Sequence, residues 1–454
     1  MSLLRRPTAV LGALLVAASL GGAVPSGSGL EPIRIGAVFP LSGSAATLAR
    51  QQELGVEIAR DLVNSQGGVG GRPIELVVRD LESGGDAPRV MAELKASGVQ
   101  AVIGSYASDL SIAASAAANQ AGLVYWEAGA VADRLTGREL PLVFRVGASG
   151  ANLGTNSAQF AATELVPRLG REQTPLRVAI VAADDTYAQS VAEAAHVTAR
   201  AAGLNVATQI TYRLSYPNWE RVMADLKAAR PDVVILASHI PDGIAFRRAM
   251  LAAKVRVGAL IGSTMAECSP DFAGDLGPDA VGVFASDRPT GGFQPGALAP
   301  SARVLYDHLA SAWSGRVGSS DRRTDEHDYS DSATDGEEYV ISGPIEAGSE
   351  RAGPTEEGLS GFTAAWVLFH DVLPRAGTGQ PTVADIAAAA RSLDLPPGSL
   401  PNGAGLRFST AAATLGQNER AAAVIWQWQA VRAYQFVWPA TYATGEIAFV
   451  PLLK

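Results

Sequence analysis

The feature that most constrains this chain is a strict alternation of strand and helix patterns from Ile33 to Ser286. Short apolar runs bounded by glycine or proline read as strands buried on both faces, and the amphipathic or alanine-rich stretches between them read as helices. The first array runs IRIGAVF (33–39), a helix over 48–64, IELVVRD (74–80), a helix over 90–97, a strand at 99–103, a helix over 112–118 and LVYWEAGA (123–130). Asn64-Ser65-Gln66-Gly67-Gly68 supplies a helix stop. The pattern then restarts: a helix over 151–165, RVAIVA (177–182), a helix over 189–202, NVATQITY (205–212), a helix over 219–229, PDVVILAS (231–238), a helix over 242–253, VGALIGS (257–263) and VGVFAS (281–286). Parallel strands need a crossover between them, so this order implies parallel sheets covered by helices on both faces. Two arrays of roughly 120 residues each imply two similar lobes rather than one large sheet.

Within the first array, Val99 to Ser115 stands out. Its strand ends in a polar loop that feeds a helix start carrying Ser105, Ser108, Asp109 and Ser111. Unpaired N–H groups and the positive end of the helix dipole make such a place an anion site. In open α/β sheets it is also where ligands sit, beyond the carboxyl ends of the strands. The alternative is that Ser108 or Asp109 only caps the helix.

Charge and cysteine content narrow the function classes. The 454 residues carry a net charge of −9, which argues against nucleic acid or an anionic membrane as partner. Residues 315–358 hold twelve acidic residues and four arginines, a net of −8, in a Ser/Gly/Asp/Glu-rich stretch without a period that reads as a mobile surface insertion. Long helices are expected on either side of it, over 300–313 and 359–373. Residues 1–23 have the form of a cleaved secretory signal: Arg5 and Arg6, an apolar run from Ala9 to Leu20, then Gly21-Gly22-Ala23. No cysteine follows it to take a lipid anchor, and no later apolar run is long enough to span a bilayer. The sole cysteine, Cys268, excludes a disulfide framework and reads as a small buried hydrophobe rather than a nucleophile. At the C-terminal end, alternation across Val424, Trp426, Trp428 and Tyr434, Phe436, Trp438 predicts an antiparallel hairpin at a sheet edge.

Enzyme signatures do not survive context. There is no nucleophile elbow, P-loop, H-E-x-x-H or C-x-x-C, and GGVGG (67–71) lies between a helix and a strand, the wrong order for a dinucleotide loop. The five histidines share no metal-ligand spacing, so neither metal nor cofactor is expected. His239 alone falls at a strand's carboxyl end, as a pocket residue or an ordinary loop histidine.

The motifs IGAVFPLSG, GVEIARDLVNSQGGVGGRPIELVVRD, AVIGSYASDLSIAASAAANQAGLVYW and RVAIVAADDTYAQS resemble those of the periplasmic solute-binding proteins of branched-chain amino acid and amide (Leu/Ile/Val-type) ABC transporters. The resemblance covers most of 31–314 and 359–440. It implies a type I periplasmic binding protein fold: two Rossmann-like lobes with parallel sheets, joined by a three-strand hinge and closing on a ligand. Crossovers near Gly147, Val281 and Asn402 would make lobe 1 of 31–147 plus 282–401, and lobe 2 of 148–281 plus 402–454.

For the site, the resemblance places a ligand carboxylate on Tyr106, Ala107 and Ser108, and an ammonium group near Gly129, Ala130 and Val131, where the family's hydroxyl is missing. Tyr187 falls on the aromatic that closes over the ligand and His239 on a further aromatic. Thr264 stands where amino acid binders carry an acid, with Glu267 three residues on. A buried ammonium without a carboxylate costs several kcal/mol, so either Glu127 or Glu267 takes that role or the ligand has no α-ammonium. Ser42 completes the candidate set.

The expected function is capture of a small polar ligand (amino acid, amide or carboxylate) by a monomeric extracytoplasmic protein that delivers it to an ABC permease and ATPase, with no catalysis and no membrane insertion after cleavage. A ligand-sensing periplasmic receptor or regulator of the same fold is the alternative. An α/β-hydrolase-like enzyme is a third reading, and a repressor core is disfavoured by the leader.

Overall fold

The structure, a computed structural model, describes residues 30–320, 353–377, 379–431 and 433–452. The leader at 1–23 and positions 321–352 of the acidic stretch lie outside the described residues.

The first array forms a parallel five-stranded sheet of order β2-β1-β3-β4-β5, with β1 Ile33–Phe39, β2 Ile74–Asp80, β3 Ala101–Gly104, β4 Val124–Glu127 and β5 Val143–Arg145. Its helices are α1 Ala46–Ser65, α2 Ala87–Ala96 and α3 Ser108–Ala121, the last starting four residues earlier than alanine content alone predicts. The chain leaves this sheet between Arg145 and Ser149, whose capping box with Asn152 starts α4 Gly150–Phe160. A π-turn over Ala161–Leu165 continues α4 into the single turn α5 Val166–Arg168.

The second sheet has seven strands in the order β14-β13-β10-β9-β8-β6-β7. Strands β6 Arg177–Ala183, β7 Asn205–Tyr212, β8 Val233–Ala237, β9 Ala259–Ser263 and β10 Phe284–Asp287 are parallel. The hairpin β13 Val424–Ala430 and β14 Ala433–Trp438 adds antiparallel strands at one edge, as its alternation predicts. The connecting helices are α6 Thr186–Ala201, α7 Trp219–Ala229, α8 Ile240–Ala253 and α9 Pro270–Leu276. A short pair, β11 Asp394–Leu395 and β12 Leu406–Arg407, stands apart.

Three sequence expectations shift. Helix α10 runs Pro300–Ser320 rather than ending at 313, and α11 begins at Glu356, before 359. Glu356 and Glu357 therefore belong to a packed helix start, not to the surface insertion. Thr355 caps it by accepting from the Gly358 N–H. The last return to the second sheet also comes later than Asn402. Phe408 packs on Trp126 and Phe144, and the Arg145 N–H bonds the Gly416 carbonyl, so this segment stays with the first sheet until Val424.

Helix α11 (Glu356–Trp366) is held against α1 at backbone distance. A Cβ on Gly55 would lie 2.2 Å from the Gly358 carbonyl oxygen, and one on Gly361 2.1 Å from that of Gln52. Only glycine permits this approach, which carries Glu356 and Glu357 to the junction of the lobes. Helix α12 Val383–Arg391, with its Thr382–Asp385 capping box, completes this side. No helix among the described residues is long and apolar enough to cross a membrane.

Candidate functional site

Both parallel sheets point their carboxyl ends at one cleft. On the first-sheet side, β3 ends at Gly104 and the chain turns through Ser105, Tyr106 and Ala107 into α3. Ala107 is the N-cap residue and offers no side-chain cap, so neither Ser108 nor Asp109 caps the helix. The Ser108 hydroxyl instead accepts the Ala132 N–H at 3.2 Å, tying α3 to the loop after β4. Tyr106 adopts φ 73°, a strained value for a tyrosine, and is 8% exposed.

The loop after β4 is held from within. Glu127, fully buried, accepts the N–H groups of Gly129 and Ala130 at 2.7 Å each and the Tyr125 hydroxyl at 3.1 Å. Burial raises its carboxyl pKa, which those backbone donors oppose. The Glu127 oxygens thus hold the chain's own turn. Arg145, 1% exposed, donates to the carbonyls of Ala132 at 2.7 Å and Ala130 at 3.3 Å, and burial lowers its pKa to about 10. Val131 is buried and apolar. Ser42 is engaged elsewhere, its hydroxyl donating to Asp80 at 2.7 Å.

On the second-sheet side, Tyr187 opens α6 (Thr186–Ala201) and is 6% exposed. Its hydroxyl donates toward the carbonyls of Ser238 and Ser263 and accepts from the Thr264 hydroxyl at 2.7 Å. His239 stacks edge-on to Tyr187 with ring centroids 5.2 Å apart, and its Nε2 bonds the Asp185 carboxylate. Burial alone would lower the His239 pKa, but the Asp185 bond and charge outweigh it and raise it; the same bond keeps Asp185 low against its own burial. This ion pair ties the starts of α6 and α8. Thr264 and Met265 have φ 53° and 51°, and the Tyr106 hydroxyl reaches the Met265 sulfur at 3.8 Å across the cleft.

Glu267 is fully buried, with its carboxyl against Gly262 and Gly243 and neither oxygen bonded among the described residues. Burial pushes it up to about 8. Three carboxylates that the sequence pattern does not single out, Asp287, Glu356 and Glu357, lie around Arg288 and Tyr106. Arg288, just after β10 (Phe284–Asp287), pairs with Glu356 at 2.6 Å (Nε) and 2.9 Å (Nη2), and a further Nη donates to the Gly129 carbonyl. Asp287 accepts the Arg288 N–H at 2.7 Å. Glu357, next along α11, raises the Tyr106 phenol pKa, itself lifted mainly by burial, and burial pushes Glu357 up to about 7. Cys268, half-buried, has its thiol pKa raised well above normal by burial and then by Asp287, so it is a poor nucleophile. No group of three or more His, Cys, Asp or Glu among the described residues is arranged to hold a metal.

The lobes touch at several further points. Asp109 at the start of α3 accepts a bond from the Thr186 hydroxyl at the start of α6, and the Asp133 N–H donates to Ser190 at 3.1 Å. Two helix starts, a buried tyrosine on each side and a guanidinium bridge surround one inter-lobe cleft, with no nucleophile–base pair among them.

Residues 32–296 match the family described as periplasmic binding protein. The chain belongs to that family. A Leu/Ile/Val-binding protein homolog 8 from Brucella abortus is 29% identical over 448 residues, covering 97% of this chain and 99% of that protein. The ABC transporter substrate-binding protein of Desulfitobacterium hafniense, solved in complex with Leu, aligns with TM-score 0.65 at 23% identity, over 90% of this chain and 100% of its own. A solute-binding protein from R. palustris, in complex with benzoate, aligns with TM-score 0.64 at 18% identity, over 91% and 98%. These likenesses show the type I periplasmic binding fold and place the chain among solute-binding proteins.

Proposed function

We propose that this protein is the extracytoplasmic solute-binding component of an ABC importer and that its ligand is a small carboxylate without an α-ammonium. The leader at 1–23 would carry the chain across the membrane and be cleaved, and the partner would be a permease with its ATPase that receives the closed, monomeric form. In this reading the ligand's carboxylate sits at the start of α3, held by N–H groups of the Tyr106–Ser108 turn and by the Ser108 hydroxyl, and Tyr187 closes over it.

The observation that carries the ligand class is the state of the positions expected to receive an amine. The Gly129 carbonyl is bonded by Arg288 and the Ala130 carbonyl by Arg145. The Glu127 oxygens serve the loop, Val131 has no hydroxyl, Thr264 bonds Tyr187, and Glu267 faces Gly262 and Gly243. An ammonium desolvated there without a partner would cost several kcal/mol. The benzoate complex of the R. palustris protein shows that this fold accommodates an amine-free acid.

The test is a thermal shift of mature protein, unfolded and refolded to strip bound solute, against benzoate, aliphatic acids, leucine and glutamate. A ligand at 100 times its Kd adds about 2.7 kcal/mol and raises the midpoint. Amine-free acids are expected to raise it and amino acids to leave it unchanged. Ser108→Ala is expected to weaken the responding acid by about 1–3 kcal/mol, as for a hydrogen bond to a charged group. A shift with amino acids alone would favour a second reading, in which Glu357, close to Tyr106, receives the ammonium.

A further inference from the structure

At the opposite end of the second sheet from the cleft lies a pocket of about 230 Å³, lined by Leu226, Lys227, Arg230, Pro231, Lys254, Val255 and Arg256. It opens beside the amino ends of β8 and β9, where α7 and α8 terminate. Four of the seven lining residues are cations, all exposed, around an apolar floor of Leu226 and Pro231. None of the four has a carboxylate partner among the described residues. The nearest acids in sequence are committed elsewhere: Asp232 pairs with Arg171 and accepts the Arg177 N–H at 2.8 Å, and Asp225 faces Arg221. In a chain of net charge −9, a concave group of four unpaired cations is out of keeping with the remaining surface.

The backbone adds a second, independent observation. Arg230 and Lys254 are the C-cap residues of α7 and α8 and adopt φ 47° and 55°, the left-handed position that glycine fills without strain. Each helix thus ends on a strained cation rather than a glycine. Cations near a helix C-terminus offset the negative end of its dipole, which accounts for Lys227, Arg230 and Lys254 but not for Arg256. The volume is below the roughly 300–1,000 Å³ of pockets that bury drug-sized molecules, which fits a compact polyvalent anion. Two guanidinium groups suit the paired oxygens of a phosphate, and two ammonium groups add point charges.

We propose that this pocket, formed by Lys227, Arg230, Lys254 and Arg256, binds a phosphate group, either free or as the headgroup of an anionic phospholipid. The site lies at the far end of the lobe from the solute cleft and does not depend on which solute that cleft takes.

The test uses the mature chain at low salt. Inorganic phosphate is titrated by calorimetry, and flotation is measured with phosphatidylglycerol/phosphatidylcholine vesicles and with phosphatidylcholine alone. Arg230→Gly/Lys254→Gly removes two charges and relieves two left-handed residues, so its melting midpoint is expected to stay level or rise while binding falls at least tenfold. Lys227→Gln/Arg256→Gln leaves the backbone untouched and is expected to lose binding to the same extent. Response to inorganic phosphate supports a free anion, and response to phosphatidylglycerol vesicles alone supports a headgroup. The proposal is overturned if neither probe binds, if both double variants bind as the parent does, or if phosphatidylcholine vesicles alone float the protein as well.

Discussion

Glu267 is a carboxyl with no hydrogen-bond partner among the described residues, enclosed beside Ser238, whose hydroxyl is likewise unbonded. Burial raises its pKa to about 8, so the folded protein keeps its proton over a range where the unfolded chain, titrating near 4.5, has lost it. Its stabilising contribution is therefore complete below pH 4.5 and is lost progressively as pH rises through 8. Glu267→Gln, which stays neutral, is expected to match the parent at pH 4.5 and exceed it by about 2–4 kcal/mol at pH 8 in urea unfolding. Equal stabilities at both pH values would mean that the carboxyl is solvated. Glu357 is the corresponding group at the site, pushed up to about 7 by burial. Its ionisation puts a negative charge near Tyr106, so an anionic solute is expected to bind more weakly at pH 8 than at pH 6. Calorimetry on Glu357→Gln should remove that dependence.

Among the elements, the contact between α1 and α11 positions the acidic end of the site. Gly55→Ala would force a Cβ to 2.2 Å from the Gly358 carbonyl oxygen and 2.7 Å from the Phe362 nitrogen, both backbone atoms that cannot rotate away. Overpacking of this kind costs about 1–3 kcal/mol. Because α11 carries Glu356 to Arg288, the variant should also weaken solute binding without touching the cleft. Thermal melts and titrations together check this; a stability loss with unchanged affinity would uncouple the two. Most of the sheet architecture was legible from apolar runs and their spacing, because parallel strands buried on both faces need nothing else. The polar loop between β3 and α3 was also legible, and Ser108 stands at the start of that helix. The partners of the loops at the site were not. Arg145 ends a strand, Val143–Arg145, that the apolar runs do not single out, Arg288 lies just beyond the last apolar run, Glu356 and Glu357 fall within the acidic stretch, and Glu127 reads the same whether it faces a ligand or its own turn. The contacts of Arg145, Arg288 and Glu356 join residues 15 to 159 apart in sequence, which periodicity does not encode, and the Glu127 contacts, two and three residues on, depend on how the turn folds back.

For the molecule as a whole, small polar contacts join the two lobes across the cleft. Asp109 with Thr186, Asp133 with Ser190 and Tyr106 with Met265 cross the cleft, and Arg288 bridges the hinge side. The exposed contact between Asp109 and Thr186 contributes about 0.2–1 kcal/mol, a step small enough for a ligand to outweigh. A binding protein needs that balance: if closure were strongly favoured without solute, entry and release would stall. Asp109→Ala with Thr186→Val removes one cross-cleft bond at two helix starts while leaving Ser108 and Tyr187 in place. The free double variant is expected to show a larger radius of gyration in solution scattering than the free parent. Saturating ligand should bring both to the same value, because the ligand's contacts then dominate. Apparent affinity should fall only two- to fivefold, the fraction of closed protein lost with about 1 kcal/mol. A much larger loss would mean that Asp109 or Thr186 contacts the solute directly, and an unchanged radius would place the control of closure at the Arg288 bridge.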